Sequence, residues 1–441
     1  MVAYTTWVLD LMFINNKVSI RFLKFKLSIM KKINNKLRAL YLVILSGLFL
    51  LSSCNKDLEQ FAAIPTPVYP TGNGVAATIA ANPNDSLFSR LIVRSGLAAT
   101  LNDLTKNYTV FAVDNAGMKV FVNAASGGAV PLNAPDATFS AFIAGSLPAA
   151  SAAGIVQYNT IGQKFPAASL GATFPNYPLT SQIILDPTQP FVRMNIFPVR
   201  GTAYSYVNNL PITAADQLAA NGVIHHTYTI VAPPTATLKA MIAGESTLSY
   251  FRAAIARADS GTVAGTSQFD FLLNYGVTNM TVLAPNDAAF QSLVFGLVYS
   301  QVFAATGSTA IATAVANGAV AAGPAFLSTN NVTTAQIKGI IAYHLLATKT
   351  TSYQPNIRVF SVNIPATPTF IKTLVNGAFD AHPGILAKAT YVGPFAIGAT
   401  FTGLGNFGGA PYSGTPANAV AIDKHAVNGV YHIIDKVLLP Q

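Results

Sequence analysis

The chain has 441 residues, of which 51% are hydrophobic and 10% charged, a balance that excludes intrinsic disorder and leaves room for two or three domains. Gly and Pro are frequent but follow no period, which excludes collagen. Most of the net charge of +10 comes from residues 1–53, where eight basic residues face Asp10 alone; the scattered 18 basic and 15 acidic residues beyond them form no nucleic-acid-binding face.

The chain opens on a leader. Lys31, Lys32, Lys36 and Arg38 follow Met30 as a positive segment, and Ala39 to Leu51 form an apolar run. That run is shorter than the roughly 20 residues that span a bilayer and fits the core of a signal peptide. Residues 1–29 add nothing to this pattern, so Met30 is the expected true start. Leu51-Ser52-Ser53-Cys54 resembles a bacterial lipobox, in which the cysteine is lipidated and becomes the N-terminus. Cys54 is the sole cysteine, so no disulfide framework can form within one chain. The resemblance implies a membrane anchor. Asn55 in place of aspartate implies the outer membrane, and Lys56-Asp57-Leu58-Glu59 resembles a charged tag that sends lipoproteins to the cell surface. Residues 60–84 are rich in Pro, Thr, Gly, Asn and Ala and lack a hydrophobic period, and they read as a tether. The domain boundaries expected are 1–53 for the leader, 54–74 for cysteine and tether, 75–234 for a first folded unit and 235–441 for a second.

Each unit is predicted to open with a helix. Asp85-Ser86 can cap one in which Leu87, Phe88, Leu91 and Ile92 share a face, with Arg90 and Arg94 opposite and Gly96 at its end. In the second unit Leu248, Phe251, Ile255 and Ala258 recur at helical spacing. Residues 296–331 are Ala/Gly/Ser/Thr-rich and read as an insertion of loop and weak helix. Thr333-Thr334-Ala335-Gln336 forms a capping box, and the helix it starts places Ile337, Ile340, Ile341, His344 and Leu345 on one side. Val430 to Ile434 and Val437 to Leu439 are expected to be buried strands. Helices mixed with short strands, without regular βαβ alternation, indicate α+β.

An internal repeat organises the chain. Asn221, Gly222, Val223, His225 and Pro233 recur as Asn428, Gly429, Val430, His432 and Pro440, an offset of 207 that Asp216 and Asp423 share. Upstream, Thr109 to Ala116 answers Thr281 to Ala288 at an offset of 172, so the second unit is 35 residues longer between its motifs. Pro233-Pro234-Thr235 leaves almost no linker, which predicts that the two units touch.

Met280-Thr281-Val282-Leu283-Ala284-Pro285-Asn286-Asp287-Ala288-Ala289-Phe290, then Tyr343-His344-Leu345-Leu346, then Asn428 to Pro440 together resemble the three motifs of the fasciclin domain. The first unit is degenerate, with Val113 and Met118 in its opening motif and no histidine in the stretch Phe139 to Leu147 taken as the Tyr-His counterpart. The resemblance implies two tandem β-wedge domains with flanking helices. It further implies an extracellular, non-catalytic adhesion protein whose partner is a matrix, cell-surface or polysaccharide ligand.

Tyr343, His344, Asn286 and Asp287 are the candidate ligand-binding residues, since the resemblance associates adhesion with the Tyr-His region. The residues also admit structural roles. His344 lies on the apolar face of its own helix, Tyr343 is the more exposed of the pair, and Asn286 or Asp287 can cap a helix. His225 and His432 read as structural, His225 and His226 point to opposite faces of a strand, and His382 sits in a solvated turn. No cofactor or metal motif is present, and no HExxH, GxSxG or phosphate loop occurs. Glycan binding by an accessory lipoprotein of an outer-membrane uptake system is the rival expectation. Trp7 lies in the leader, so the aromatic surface falls to Tyr177, Tyr204, Tyr206, Tyr353, Phe407 and Tyr412.

Overall fold

The computed structural model describes residues 68–329, 332–405 and 412–440. The leader, Cys54, the proposed sorting residues and Phe407 lie outside the described residues. Tyr69–Gln441 forms one compact unit of mixed helix and sheet.

The first half begins with helix α1 (Val75–Ala80), which buries Val75, Ala76 and Ile79. The tether therefore does not reach residue 84; three apolar side chains at helical spacing hold 75–80 on the core. Helix α2 (Ser86–Ser95) buries Leu87, Phe88, Leu91 and Ile92 and stops at Gly96, whose φ of 73° is the left-handed turn that only glycine adopts without strain. A short α3 (Ala98–Leu101) leads to strand β1 (Tyr108–Ala112). Helices α4 (Asn115–Ala125), α5 (Asp136–Ala141) and α6 (Ala149–Tyr158) follow. The remaining strands are β2 (Thr160–Ile161), β3 (Gly171–Ala172), β4 (Leu179–Ile184), β5 (Arg193–Ile196), β6 (Pro198–Arg200), β7 (Ser205–Val207), β8 (Leu210–Ala219) and β9 (Gly222–Thr227).

The second half repeats this order. Helices α7 (Leu238–Gly244), α8 (Ser249–Ala258) and α9 (Phe269–Asn274) precede β10 (Met280–Pro285). Then come α10 (Asp287–Thr306), α11 (Thr309–Ala321) and α12 (Thr334–Tyr343). Strands β11 (Thr348–Lys349), β12 (Tyr353–Gln354), β13 (Thr369–Ile371), β14 (Ile385–Val392), β15 (Phe395–Thr402), β16 (Ala417–Ala426) and β17 (Gly429–Ile434) complete it.

The two sheets share an unusual register. β1 pairs with β9 in parallel, Tyr108 opposite Gly222, and β10 pairs with β17 in parallel, Met280 opposite Gly429. The antiparallel partner of each closing strand is bulged at the same places, between Ala214 and Gln217 in β8 and between Ala421 and Lys424 in β16. Asp216 (φ 63°) and Asp423 (φ 57°) sit in those bulges. Opening and closing motifs, over a hundred residues apart, thus become neighbouring strands, inside the first sheet and at one edge of the second.

Two sequence expectations fail here. Residues 296–321 are not loop and weak helix: α10 runs 20 residues and α11 runs 13. α10 has the length and apolarity of a membrane span, but Phe290, Leu293, Val294 and Val298 bury its N-terminal part in the core. Val437–Leu439 is no strand either; Leu439 makes only an isolated bridge to Gly405. The capping box of Thr333 and Gln336 forms as the spacing predicts.

Candidate functional site

Asn286 and Asp287 end β10 and start α10. The first four N–H groups of any helix lack an intrahelical partner. Asn286 supplies one, its side-chain oxygen accepting from Ala289 N at 2.8 Å. Asp287 serves a different helix: its carboxylate accepts from Tyr250 N and Ser249 Oγ, each at 2.8 Å, at the start of α8. The first half repeats both devices. Asp114 accepts from Gly117 N at 2.8 Å, and Asn115 accepts from Leu87 N at 2.9 Å. Asp85, expected to cap α2, makes no such bond; it is buried and meets His226 Nε2 at 3.0 Å instead.

Tyr343 is 0% exposed, so it is not the more accessible member of its pair. Its hydroxyl donates to Gly384 O at 2.6 Å and accepts from Leu404 N at 3.0 Å. Desolvation holds the phenol well above its ordinary pKa. His344 is equally buried. Its Nε2 accepts from Leu438 N at 3.0 Å, which leaves Nδ1–H to donate to Ile340 O at 2.8 Å. Burial pushes its pKa down to about 4, against a smaller opposing effect of the Ile340 carbonyl, so the ring is neutral at pH 7. The pair fastens the end of α12 to the C-terminal segment and does not present a ligand surface.

The first half has the same fastening in a place that the sequence hides. Asn159 O accepts from Phe111 N and His344 O accepts from Leu283 N, both at 2.9 Å. Tyr158-Asn159, not the stretch Phe139 to Leu147, is therefore the counterpart of Tyr343-His344. Asn159 Nδ2 donates to Ile155 O at 2.9 Å, as the imidazole donates to Ile340 O, and donates to Val231 O at 2.9 Å where the imidazole accepts from Leu438 N. The offset of this pair is 185, so 13 of the 35 extra residues (185 against 172) precede it and 22 (207 against 185) follow it.

The closing motifs are clamps. Asn221 accepts from Val75 N and donates to Leu101 O and Asp103 O; Asn428 accepts from Leu238 N and donates to Leu273 O and Tyr275 O. His225 Nδ1 accepts from Asp216 N, so its Nε2–H donates to Phe165 O at 2.9 Å; His432 does the same between Asp423 N and Val359 O. His226 points the other way, toward Asp85, as a strand requires. His382 is not solvated. It is 2% exposed, with Nε2 at Pro440 O, Nδ1 accepting from Gly384 N and its ring edge-on to Tyr343. The Tyr343 hydroxyl at Gly384 draws that turn onto the core.

Glu245, the only glutamate among the described residues, bonds Tyr431 Oη at 2.9 Å and Lys424 Nζ at 3.0 Å. Among the described residues no three His, Cys, Asp or Glu side chains come together as a metal site would need.

What remains accessible lies in clefts. One of about 920 Å³ runs beside β1, β2 and β4 and carries Lys106, Lys164 and Arg193. Another of about 810 Å³ opens between the halves and is lined by Arg200, Tyr204, Tyr206 and Tyr391 among others. The sequence pointed to Tyr204 and Tyr206 among its candidate aromatics. They do not share a strand face: β7 begins only at Ser205, leaving Tyr204 in the turn and exposed while the Tyr206 ring is buried. Arg200 was missed, because nothing near it in sequence marks the second half as its neighbour. Of the other loop aromatics, Tyr177 is exposed, Tyr353 bonds Asp380 and Tyr412 bonds Gly384 O.

No family model matches the chain, and no curated protein matches it. Among solved structures it is similar to a FAS1 domain pair from the insect cell adhesion molecule fasciclin I, at 12% identity and a TM-score of 0.27, over 80% of this chain and 96% of that one.

Proposed function

We propose that the chain is a non-catalytic binding protein of two tandem fasciclin-like domains, 75–234 and 235–441, anchored by lipid on Cys54 and displayed on the outer face of a bacterial envelope to hold a matrix, cell-surface or polysaccharide partner. The observation that carries the reading is the duplication of the motif residues in role as well as in order. Asp114 and Asn286, Asn115 and Asp287, Asn221 and Asn428, and His225 and His432 make the same fold-holding hydrogen bonds in both halves. These polar groups are consumed by architecture, and the only described glutamate is consumed by Lys424 and Tyr431. Binding through clefts and surface fits such a molecule better than chemistry at a site.

Tyr343, His344, Asn286 and Asp287 then shape the binding domain from within and do not touch the partner. A second reading, a glycan-binding accessory lipoprotein, is favoured by the aromatic cleft between the halves.

Two experiments test the proposal. Cys54→Ala is expected to move the protein from the membrane fraction to the soluble one; equal membrane association of both forms rejects the anchor. Protease shaving of intact cells is expected to trim the chain while a periplasmic control survives. A chain untouched until the outer membrane is opened rejects outward display.

A further inference from the structure

The cleft between the halves has the chemistry of a specific site. One wall is the tip joining β6 to β7, the other the segment Val362 to Ala366 with the turn at Gly393. The tip is tight: Gly201 N donates to Tyr204 O at 2.9 Å, and a Cβ on Gly201 would lie 2.5 Å from that same oxygen. Arg200 and Tyr204 are thereby held on one short, preorganised hairpin.

Tyr391 Oη donates to Ile364 O, but other donors there lack acceptors. Arg200 is exposed and, among the described residues, meets no carboxylate; none of the residues lining the cleft is acidic. The Tyr206 ring is buried, yet its hydroxyl has no hydrogen-bond partner among the described residues. Asn363 is 2% exposed, and its Nδ2 is unpartnered while its Oδ1 accepts from Phe360 N. Tyr204, 45% exposed, offers a ring face. The phenols lie within electrostatic reach of one another: Tyr206 is raised in pKa by desolvation and then by Tyr204, and Tyr391 is pushed up to about 12 by desolvation and then by Tyr206. In the larger cleft beside β1, Lys106 is paired with Asp103 and Arg193 with Gln182, so two of its three cations are already engaged.

An aromatic face beside an unpaired guanidinium and free donors suits a ring with an apolar face, hydroxyl groups and one carboxylate. We propose that this cleft binds a uronic-acid unit of an acidic polysaccharide, its ring face on Tyr204 and its carboxylate on Arg200. Tyr206 Oη supplies a further polar contact. The inference rests on the binding-protein reading above and names the class of ligand.

The test is calorimetric titration of the full chain in detergent with hexagalacturonate, with maltohexaose as the neutral control. Saturable binding of hexagalacturonate is expected, weakened about tenfold by Arg200→Gln and by Tyr204→Ala, as loss of one charge-assisted or stacking contact would do. Tyr204→Phe, which keeps the ring, is expected to retain binding. Both positions are exposed, so unchanged urea midpoints are expected to show that the variants fold. Absence of saturable hexagalacturonate binding, or binding that survives both Arg200→Gln and Tyr204→Ala, overturns the proposal. The two failures differ in what they leave standing. Binding that survives keeps a glycan-binding protein with its site elsewhere, whereas no binding by a chain whose cells still adhere keeps the adhesion reading without this ligand.

Discussion

At the scale of single residues, the motif side chains act as clamps between segments distant in sequence. Asn428 joins Leu238 to Leu273 and Tyr275, and all these partners lie more than 150 residues away. Asn428→Ala orphans a buried N–H and two carbonyls, and a loss of about 2–4 kcal/mol in urea unfolding is expected, since each unmatched buried group costs about 1–3 kcal/mol. An unchanged midpoint contradicts the clamp. His344 makes a pH prediction. Its folded pKa is about 4. The unfolded value is about 6.5, so the unfolded chain binds the extra proton between these limits. The stability it supports is full above pH 6.5 and is lost as pH falls toward 4, roughly 2 kcal/mol of it by pH 5. His225 and His425 are depressed in the same direction by burial, so they add to the slope. His344→Asn, which installs the residue found at position 159, is expected to reduce the pH dependence of the midpoint between pH 7 and 5; the same slope in both proteins contradicts the assignment. The sequence marked Asn428 through its repetition and His344 through the motif resemblance. It could not show what they bind, because periodicity reports a residue's own element and not its long-range partner.

At the scale of elements, the faces of three helices were legible, while α1, α11 and the length of α10, and the ends of the sheets, were not. The faces of α2, α8 and α12 follow from apolar spacing, and the cap of α12 from Thr333 and Gln336. Val437 to Leu439 has the composition of a strand but finds no continuous partner, since strand formation depends on a neighbour that composition does not reveal. The Tyr158-Asn159 pair escaped notice because an amide replaces the imidazole while keeping its bond to the preceding turn. The glycine after each clamp, Gly222 or Gly429, is not demanded by its φ. At Gly429 a Cβ would lie 2.5 Å from Met280 O and against Leu238; Gly222 has Tyr108 O and Val75 in the same places. In both sheets the parallel strand pair approaches too closely for a side chain. Gly429→Ala is expected to cost about 2–3 kcal/mol through overpacking, while Gly398→Ala, with open space at its Cβ, stays within about 0.5 kcal/mol. Equal effects in thermal unfolding contradict the close-approach argument.

At the scale of the whole molecule, the missing linker correctly forecast contact, though not its chemistry. Arg358 is 0% exposed at the junction. Its guanidinium lies 4.8 Å over the Phe197 ring of the first half and bonds His425 Nε2 at 2.9 Å and Val427 O at 3.0 Å, and among the described residues no carboxylate pairs with it. Asn176 of the first half donates to Arg358 O at 2.5 Å, and Phe197 meets Phe360 edge-on. Burial lowers the Arg358 pKa to about 10, which leaves it charged at neutral pH. A buried cation held by carbonyls and a ring face is expected to couple the halves. Arg358→Ala is expected to cost on the order of 3 kcal/mol and to split one calorimetric unfolding transition into two. A single transition in the variant contradicts the coupling. The same junction forms the cleft of Arg200 and Tyr204, so coupling and ligand binding depend on one relative placement of the halves.

The most direct test of the account is the adherence of intact cells to a polysaccharide-coated surface, measured with the wild-type chain and with Cys54→Ala at equal expression. Adherence that requires the wild-type chain and falls to background in the variant is the predicted result. Adherence equal in the two strains, or absent from both, contradicts a displayed and lipid-anchored binding protein.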